Sequence, residues 1–452
     1  MLSEAKHLAS PATADRIRQR RGRAPLQGLG ASLVIAAVAF ATLLSFSSSA
    51  SAQGGIDVRS STARTEFPTG LVFTLDASIP GELEEARLVY QIAPDGVRAQ
   101  APPECTGGTT IACRYQLANS RRNPLIPGAE VTYFWRLTIG GERQETASQT
   151  VTYEDTRHTW QTLSDGNLTL WWYAGGEEEA RRVLAAGRES LDRIGALLQT
   201  TVDFPVKLFY YESAEEMQPA IVPTASEGVV TLGEVVYSDT AMVSADVAPE
   251  EIARHEIAHI VVRQALDGPY DVPAWLNEGT AVFAQSSPLP GQQSALDQAI
   301  STGRVISVRS LSSSSSGGIS SRVELFYGQS WSLVDFLVAD YGEQRFAQLF
   351  QAFAEGARAN EALQQVYGFD QDGLENAWRE QLGLPPRVEP TPEDDPAPQP
   401  TDDAPAPDGE GSNAQDGDGV PVLVIVAIVV LTMALAGSML GAGLLLARRR
   451  LR

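Results

Sequence analysis

Residues 249–263 read PEEIARHEIAHIVVR and place two histidines, His255 and His259, four positions apart. Pro249 is tolerated in the first turn of a helix, so the run favours a helix that begins there. On a helix, residues four apart lie on one face, one turn above the other. Both imidazoles can therefore bind one metal ion, and Glu256 lies beside that ion as a candidate general base.

A catalytic zinc site needs a third protein ligand and one open position. Residues 273–279 read PAWLNEG, and their acidic residue, Glu278, follows His259 after eighteen intervening residues. Glu278 is therefore the candidate third ligand. The neighbouring Asn277 either supports a ligand or packs within its helix, and the sequence leaves both readings open.

The combination of HEIAH and WLNEG resembles the gluzincin metallopeptidases, in particular the M1-type aminopeptidase core and the peptidase MA-like domains of bacterial surface proteins. The resemblance implies an α+β, thermolysin-like domain in which His255, His259 and Glu278 hold Zn²⁺. It implies that Glu256 takes the proton of a zinc-activated water. It also implies that the edge strand of the domain's sheet pairs with an extended peptide substrate.

The resemblance extends to a tyrosine. In M1-type enzymes a tyrosine that opens a later helix stabilises the oxyanion of the transition state. Residues 326–331 read FYGQSW, and Tyr327 is the matching position. Packing within the helix is the alternative role for this side chain.

Two family features are missing. The Gly-x-Met-x-Asn motif, which binds the free amino terminus of a substrate in M1-type aminopeptidases, does not occur upstream of His255. Thermolysin-like enzymes carry Asp four residues after the ligand Glu, where this chain has Val282. Aminopeptidase activity is therefore not supported.

The chain has 452 residues and a formal net charge of −22. Arginines cluster near both ends, within residues 16–23 and 448–452, so the middle is more acidic than the total suggests. An acidic fold repels phosphate backbones, which predicts no nucleic-acid partner.

An apolar run at residues 33–44 follows a basic start and leads to Ala50-Ser51-Ala52, a small-residue cleavage pattern. Residues 1–52 are therefore predicted to be a secretory signal peptide. An uncleaved anchor is the alternative, although the apolar run is short for a membrane span.

Residues 53–157 contain strand-like segments at 71–75, 86–92 and 131–139, with turn residues between them. This spacing predicts an immunoglobulin- or fibronectin-like β-sandwich. Cys105 and Cys113 flank a glycine pair in a predicted hairpin. They are expected to form a disulfide in an oxidising compartment, with two free thiols as the alternative.

Residues 158–384 change to a mixed pattern typical of an α+β domain. Strands are expected at 168–173, 204–211, 229–236 and 241–245. Helices are expected at 177–199, about 328–341, 343–355, 358–366 and 370–382. These segments make up the predicted gluzincin domain.

Residues 385–419 are rich in Pro, Asp, Ala and Gly and predict a disordered acidic linker. Residues 420–447 are predicted to be a transmembrane helix. They contain an uncharged apolar run from Val422 to Ala447 that is long enough to span a bilayer. Arginines at 448–452 place that end in the cytoplasm.

The sequence therefore predicts a multidomain, single-pass protein of the cell membrane with its folded domains outside. Its predicted activity is that of a zinc metallopeptidase that hydrolyses a peptide or protein substrate. The alternative function is non-catalytic: a surface adhesion or assembly protein on a peptidase-like scaffold.

Overall fold

The computed structural model describes residues 55–387 except residues 95, 121–123, 222–232, 269–270 and 314–319. The predicted signal peptide, membrane span and basic tail lie outside the described residues, as does the predicted linker from residue 388 onward. Within the described ranges, no helix is both long enough and apolar enough to cross a bilayer.

The N-terminal part of the described chain is β-rich, as predicted. Its strands are β1 (Asp57–Glu66), β2 (Gly70–Ser78), β3 (Leu83–Ala93), β4 (Ala99–Ala101), β5 (Glu104–Gly107), β6 (Thr110–Ala118), β7 (Glu130–Ile139), β8 (Glu142–Glu145) and β9 (Gln149–Thr152). One antiparallel sheet has the order β1-β2-β6-β5. The other has the order β4-β3-β7-β8, and β9 also pairs with β7.

Both sheets contribute to one apolar core, because alternate residues of their strands are buried. In β7, for example, Val131, Tyr133 and Trp135 are buried while Thr132 is exposed, as expected for a sheet with one face in a core. The strands predicted at 71–75, 86–92 and 131–139 are confirmed as parts of β2, β3 and β7. The immunoglobulin- or fibronectin-like type of this region stays a prediction.

Cys105 of β5 and Cys113 of β6 face each other across an antiparallel pair and form a disulfide. The predicted pairing is confirmed, and the two free thiols weighed against it do not occur in the structure.

The second region combines one sheet with helices. The sheet consists of β10 (Gln161–Asp165), β11 (Leu168–Trp172), β12 (Val206–Tyr211), β13 (Gly233–Tyr237) and β14 (Thr240–Ser244) in the order β10-β11-β12-β14-β13. Its helices are α1 (Glu177–Leu198), α2 (Ala214–Met217), α3 (Pro249–Leu266), α4 (Ala274–Ala284), α5 (Pro290–Thr302), α6 (Ser320–Tyr341), α7 (Glu343–Ala354), α8 (Ala359–Tyr367) and α9 (Gln371–Gln381).

The three central strands, β11, β12 and β14, are parallel, and β13 closes one edge antiparallel to β14. Both faces of this sheet are buried. In β12, Leu208 and Tyr210 pack into the core made by the helices, whereas Phe209 and Tyr211 pack into the core of the β-rich region. Met242 of β14 joins the same β-rich core. The two regions therefore share one of their cores.

The two regions are also packed together at the predicted domain boundary between residues 157 and 158. Asp155 is fully buried in its side chain and accepts hydrogen bonds from Arg157 Nη2 at 2.6 Å and from Tyr211 Oη at 3.3 Å. The Arg157 guanidinium also lies over the ring of Phe67, 4.8 Å from its centre. The described residues of both regions belong to one compact unit.

The helix expected at about 328–341 begins earlier, at Ser320, so Tyr327 lies inside α6 instead of opening it. Gly328 lies within the helix and does not interrupt it. A Cβ atom at Gly328 would lie 2.4 Å from the carbonyl oxygen of Gln292, so glycine is needed here for close packing against α5.

Candidate metal centre

Helix α3 carries both histidines at the centre of the second region. His255 is completely buried and His259 is 7% exposed. Helix α1 packs against α3, and Ser190 Oγ of α1 donates a hydrogen bond to the carbonyl oxygen of Arg254 at 2.6 Å. The two imidazole rings lie 4.8 Å apart on one face of the helix, as the four-residue spacing predicts.

Glu278 reaches the same place from the second turn of α4. The residue after it explains how α4 and α6 come so close: a Cβ atom at Gly279 would lie only 2.3 Å from the carbonyl oxygen of Ser330. Any side chain at position 279 would push the two helices apart. The glycine of the NEG motif thus brings Glu278 near the helix that carries Tyr327.

The three predicted ligands converge. Glu278 Oε2 lies 3.4 Å from His255 Nε2 and 3.6 Å from His259 Nε2. Ligand atoms of all three residues lie within 4.8 Å of one another. Tetrahedral ligands bound to zinc at about 2.0–2.2 Å are about 3.4 Å apart. The spacing therefore fits a metal ion of that size.

Hydrogen bonding supports the same reading. Asn277 Oδ1 lies 3.0 Å from His259 Nδ1, and because an amide oxygen only accepts, Nδ1 carries the proton and Nε2 presents a lone pair. Among the described residues, His255 Nε2, His259 Nε2 and Glu278 Oε2 are buried without a hydrogen-bond partner. A cation bound between them would satisfy all three. The contact of Asn277 with His259 favours the supporting role over packing within the helix.

Burial also sets the charge of the three candidate ligands. It lowers the pKa of His255 to about 3 and that of His259 to about 4, so both rings are neutral at pH 7. It raises the pKa of Glu278 to about 7. A buried carboxylate that resists ionisation is stabilised in its charged form by a nearby cation.

These pKa values predict how zinc binding depends on pH. Below pH 7 Glu278 is protonated and must release its proton to a cation, whereas the histidines are already neutral down to about pH 4. We expect about one proton released per zinc at pH 6, and an affinity that falls about tenfold per pH unit below pH 7. Calorimetry in buffers of different ionisation enthalpy measures this number, and release of two or three protons would contradict it.

The two predicted catalytic side chains lie near the candidate ligands. Glu256 is completely buried and follows His255 on α3. The ring of Tyr327 lies 6.0 Å from the ring of His255, and burial, followed by the charges of Glu278 and Glu256, raises the pKa of Tyr327 well above 10. Its hydroxyl therefore stays protonated and can donate a hydrogen bond into the site.

The geometry agrees with the comparison to known families. Residues 186–383 match the family model of the Peptidase MA superfamily. The match includes α3, α4 and α6, and it supports a gluzincin-like peptidase domain. The cluster of two histidines and one glutamate is of the kind found in metalloproteases. It covers less than half of the chain and begins within α1, after β10 and β11 of the same sheet.

No curated protein gave a significant match to the sequence. Among solved structures, one titled "Crystal structure of Br derivative BhCBM56" is 16% identical and covers 21% of this chain and 98% of its own, with a TM-score of 0.16. A TM-score this low supports no statement about the fold or function of this chain.

The contacts that hold the site together join parts of the chain that are distant in sequence. Ser330 and Gln292 oppose Gly279 and Gly328, yet nothing in their local sequence marks them. The only signal was the pair of glycines, since a glycine inside a helical pattern often marks a close approach.

Proposed function

We propose that this protein is a zinc-dependent metallopeptidase that hydrolyses peptide bonds. The observation that carries the proposal is the convergence of three buried ligand atoms, from His255, His259 and Glu278, beside the carboxyl-bearing residue Glu256. The donor set of two imidazoles and one carboxylate is typical of catalytic zinc. Zinc bound there would polarise a substrate carbonyl and lower the pKa of water beside it.

Glu256 serves as the general base and then as the general acid. It accepts a proton from the water that attacks the substrate carbonyl and delivers that proton to the amine that leaves. Its place next to His255 on α3 keeps the carboxyl group beside the ligands without making it one of them.

Tyr327 donates its hydroxyl proton in a hydrogen bond to the oxyanion of the tetrahedral transition state. A high pKa suits this role because the phenol must remain protonated throughout the reaction. The tyrosine comes from α6, on a different helix from the base and the ligands, so the reacting carbonyl would be held between them.

The substrate is a peptide or protein in an extended conformation. Strand β13 is at the edge of the five-stranded sheet. Among the described strands it pairs with β14 alone, along its inner side. An edge strand offers unpaired backbone groups to which an extended peptide can add as a further strand. Because β13 also packs on α3, such a peptide would lie beside the ligands.

We further propose that a single membrane span anchors the protein and that its folded domains act outside the cell. The support is in the sequence: a signal-like start, an acidic Pro-rich linker and an apolar run of span length followed by arginines. The net charge of −22 and the disulfide suit an extracellular fold.

The test is turnover of a quenched-fluorescent peptide library by the full chain. We expect turnover that a zinc chelator removes and that added zinc restores, because the ligands are protein side chains that bind the ion reversibly. Turnover that is indifferent to the chelator would contradict the metal-dependent mechanism. A chain that binds zinc but cleaves no peptide would instead favour the non-catalytic adhesion or assembly protein.

A further inference from the structure

A second buried cluster of charges lies near the end of the described chain. Glu375 of α9 is 3% exposed and forms ion pairs with Arg379 and with Arg387. We call Glu375, Arg379 and Arg387 the C-terminal cluster. Arg379 Nε also donates to the carbonyl oxygen of Pro385 at 2.7 Å, which fixes the chain after α9. The folded unit therefore extends to Arg387, three residues beyond the predicted domain end at 384.

The C-terminal cluster holds a segment that comes from elsewhere in the chain, residues 305–308 after α5. Arg387 Nη2 donates to the carbonyl oxygen of Val305 at 3.2 Å, and the backbone N–H of Val308 donates to Glu375 Oε2 at 3.0 Å. The charged groups thus satisfy both ends of this short segment.

The middle of the same segment is bonded to α6. The side-chain amide of Gln329 accepts a hydrogen bond from the backbone N–H of Ile306 at 2.9 Å and donates to the carbonyl oxygen of Ile306 at 2.6 Å. Gln329 is completely buried. Loss of this side chain would leave two backbone groups of Ile306 without these partners.

Gln329 lies two residues after Tyr327, and successive residues of a helix are about 100° apart. The two side chains therefore point to roughly opposite sides of α6, with Tyr327 toward the metal ligands. The residues on either side of Gln329 are also fixed, Gly328 against α5 and Ser330 against α4. The position of Tyr327 is thus set by contacts with three neighbours over three consecutive residues.

We propose that Gln329 is a positioning residue for Tyr327, and that the C-terminal cluster acts with it through residues 305–308. The proposal rests on the proposed function in that Tyr327 must serve the reaction. It assigns a catalytic consequence to Arg387, a residue at the foot of the predicted linker. Truncating the chain just before Arg387 would remove these contacts and loosen α6 as well as the C-terminus.

The first arm of the test needs no turnover. Hydrogen exchange is measured on the full chain carrying Arg387→Met, which removes a partly exposed guanidinium while Arg379 still pairs with Glu375. The matched control is Arg181→Met, which removes an exposed guanidinium that pairs with Glu177 on α1. We expect about tenfold faster exchange at residues 305–308 and in α6 around Gln329 for the first variant only. Unchanged exchange in α6 would overturn the proposal.

The second arm is kinetic. It uses zinc-loaded protein and one peptide that the library identifies as a substrate. We expect Gln329→Leu to lower kcat about tenfold with KM and zinc content unchanged. In a Tyr327→Phe background, Gln329→Leu should lower kcat no further, because the group that it positions is gone. An equal loss in both backgrounds would show a general structural effect and overturn the proposal. If Tyr327→Phe lowers kcat while Gln329→Leu does not, the positioning role fails and the proposed function stands.

Discussion

Glu256→Gln is expected to lower peptide turnover by about 10³-fold or more while the protein still binds zinc. The amide has nearly the shape of the carboxylate, so the buried space beside His255 stays filled. It cannot accept a proton from water, so the attacking nucleophile is not formed and the leaving amine is not protonated. Since Glu256 is not among the three converging ligands, the metal should remain. Turnover and zinc content are measured on the same preparation.

The matched control is Glu250→Gln, on the same helix but six residues earlier. Glu250 pairs with Arg182 at the surface, 3.0 Å away, and takes no part in the ligand cluster. We expect turnover within about twofold of the unsubstituted protein, as for most exposed ion pairs. Full activity in Glu256→Gln would show that another group is the base. Loss of zinc in that variant would show that Glu256 supports the metal rather than the proton transfer.

Removal of the β-rich region is expected to prevent the peptidase-like region from folding. A fragment that starts at residue 158 would expose a face of its central sheet that includes Phe209, Tyr211 and Met242, all buried in the intact protein. Each such side chain contributes about 2 kcal/mol or more by burial. Several together approach the whole stability of a domain, about 5–15 kcal/mol. Urea unfolding of residues 158–387 and 53–387, followed by tryptophan fluorescence, compares the two.

A single substitution tests the same junction with less disruption. Phe209→Ala should lower the free energy of unfolding by about 3–5 kcal/mol, since it empties a site between the two regions. The control is Val97→Ala in the β-rich region, where the valine is 84% exposed and the change should be within about 0.5 kcal/mol. A fragment 158–387 that unfolds cooperatively at the same urea concentration as 53–387 would contradict the shared core.

Much of the candidate site follows from the sequence because its signals are local. The spacing of His255 and His259 is a helical repeat, and α3 forms over Pro249–Leu266 as expected from its proline start. The motif around Glu278 pointed to a ligand without any knowledge of distance. The spacing of the motifs does not contain the distances between helices. The structure shows that α4 lies close to α6 at Gly279 and that Glu278 of α4 reaches the histidines of α3.

The remaining features depend on contacts between distant parts of the chain. The sequence pattern changes between residues 157 and 158, which is why a domain boundary was predicted there. The apolar residues of β12 alternate between two cores, but in the sequence they have the pattern of any strand that is buried on both faces. The expected start of α6 was late because the resemblance places Tyr327 at the opening of a helix, whereas α6 begins at Ser320. Gln329 carries no local signal, since its partner Ile306 is 23 residues away.

The metal content of the full chain tests the proposed site most directly. Mass spectrometry of the native protein, after loading with zinc and removal of the excess, counts bound ions per chain. We expect one zinc in the unsubstituted protein and none in His259→Ala, because the remaining ligands bind too weakly to retain it. No zinc in the folded, unsubstituted protein, or an equal amount in His259→Ala, would show that His255, His259 and Glu278 are not a metal site.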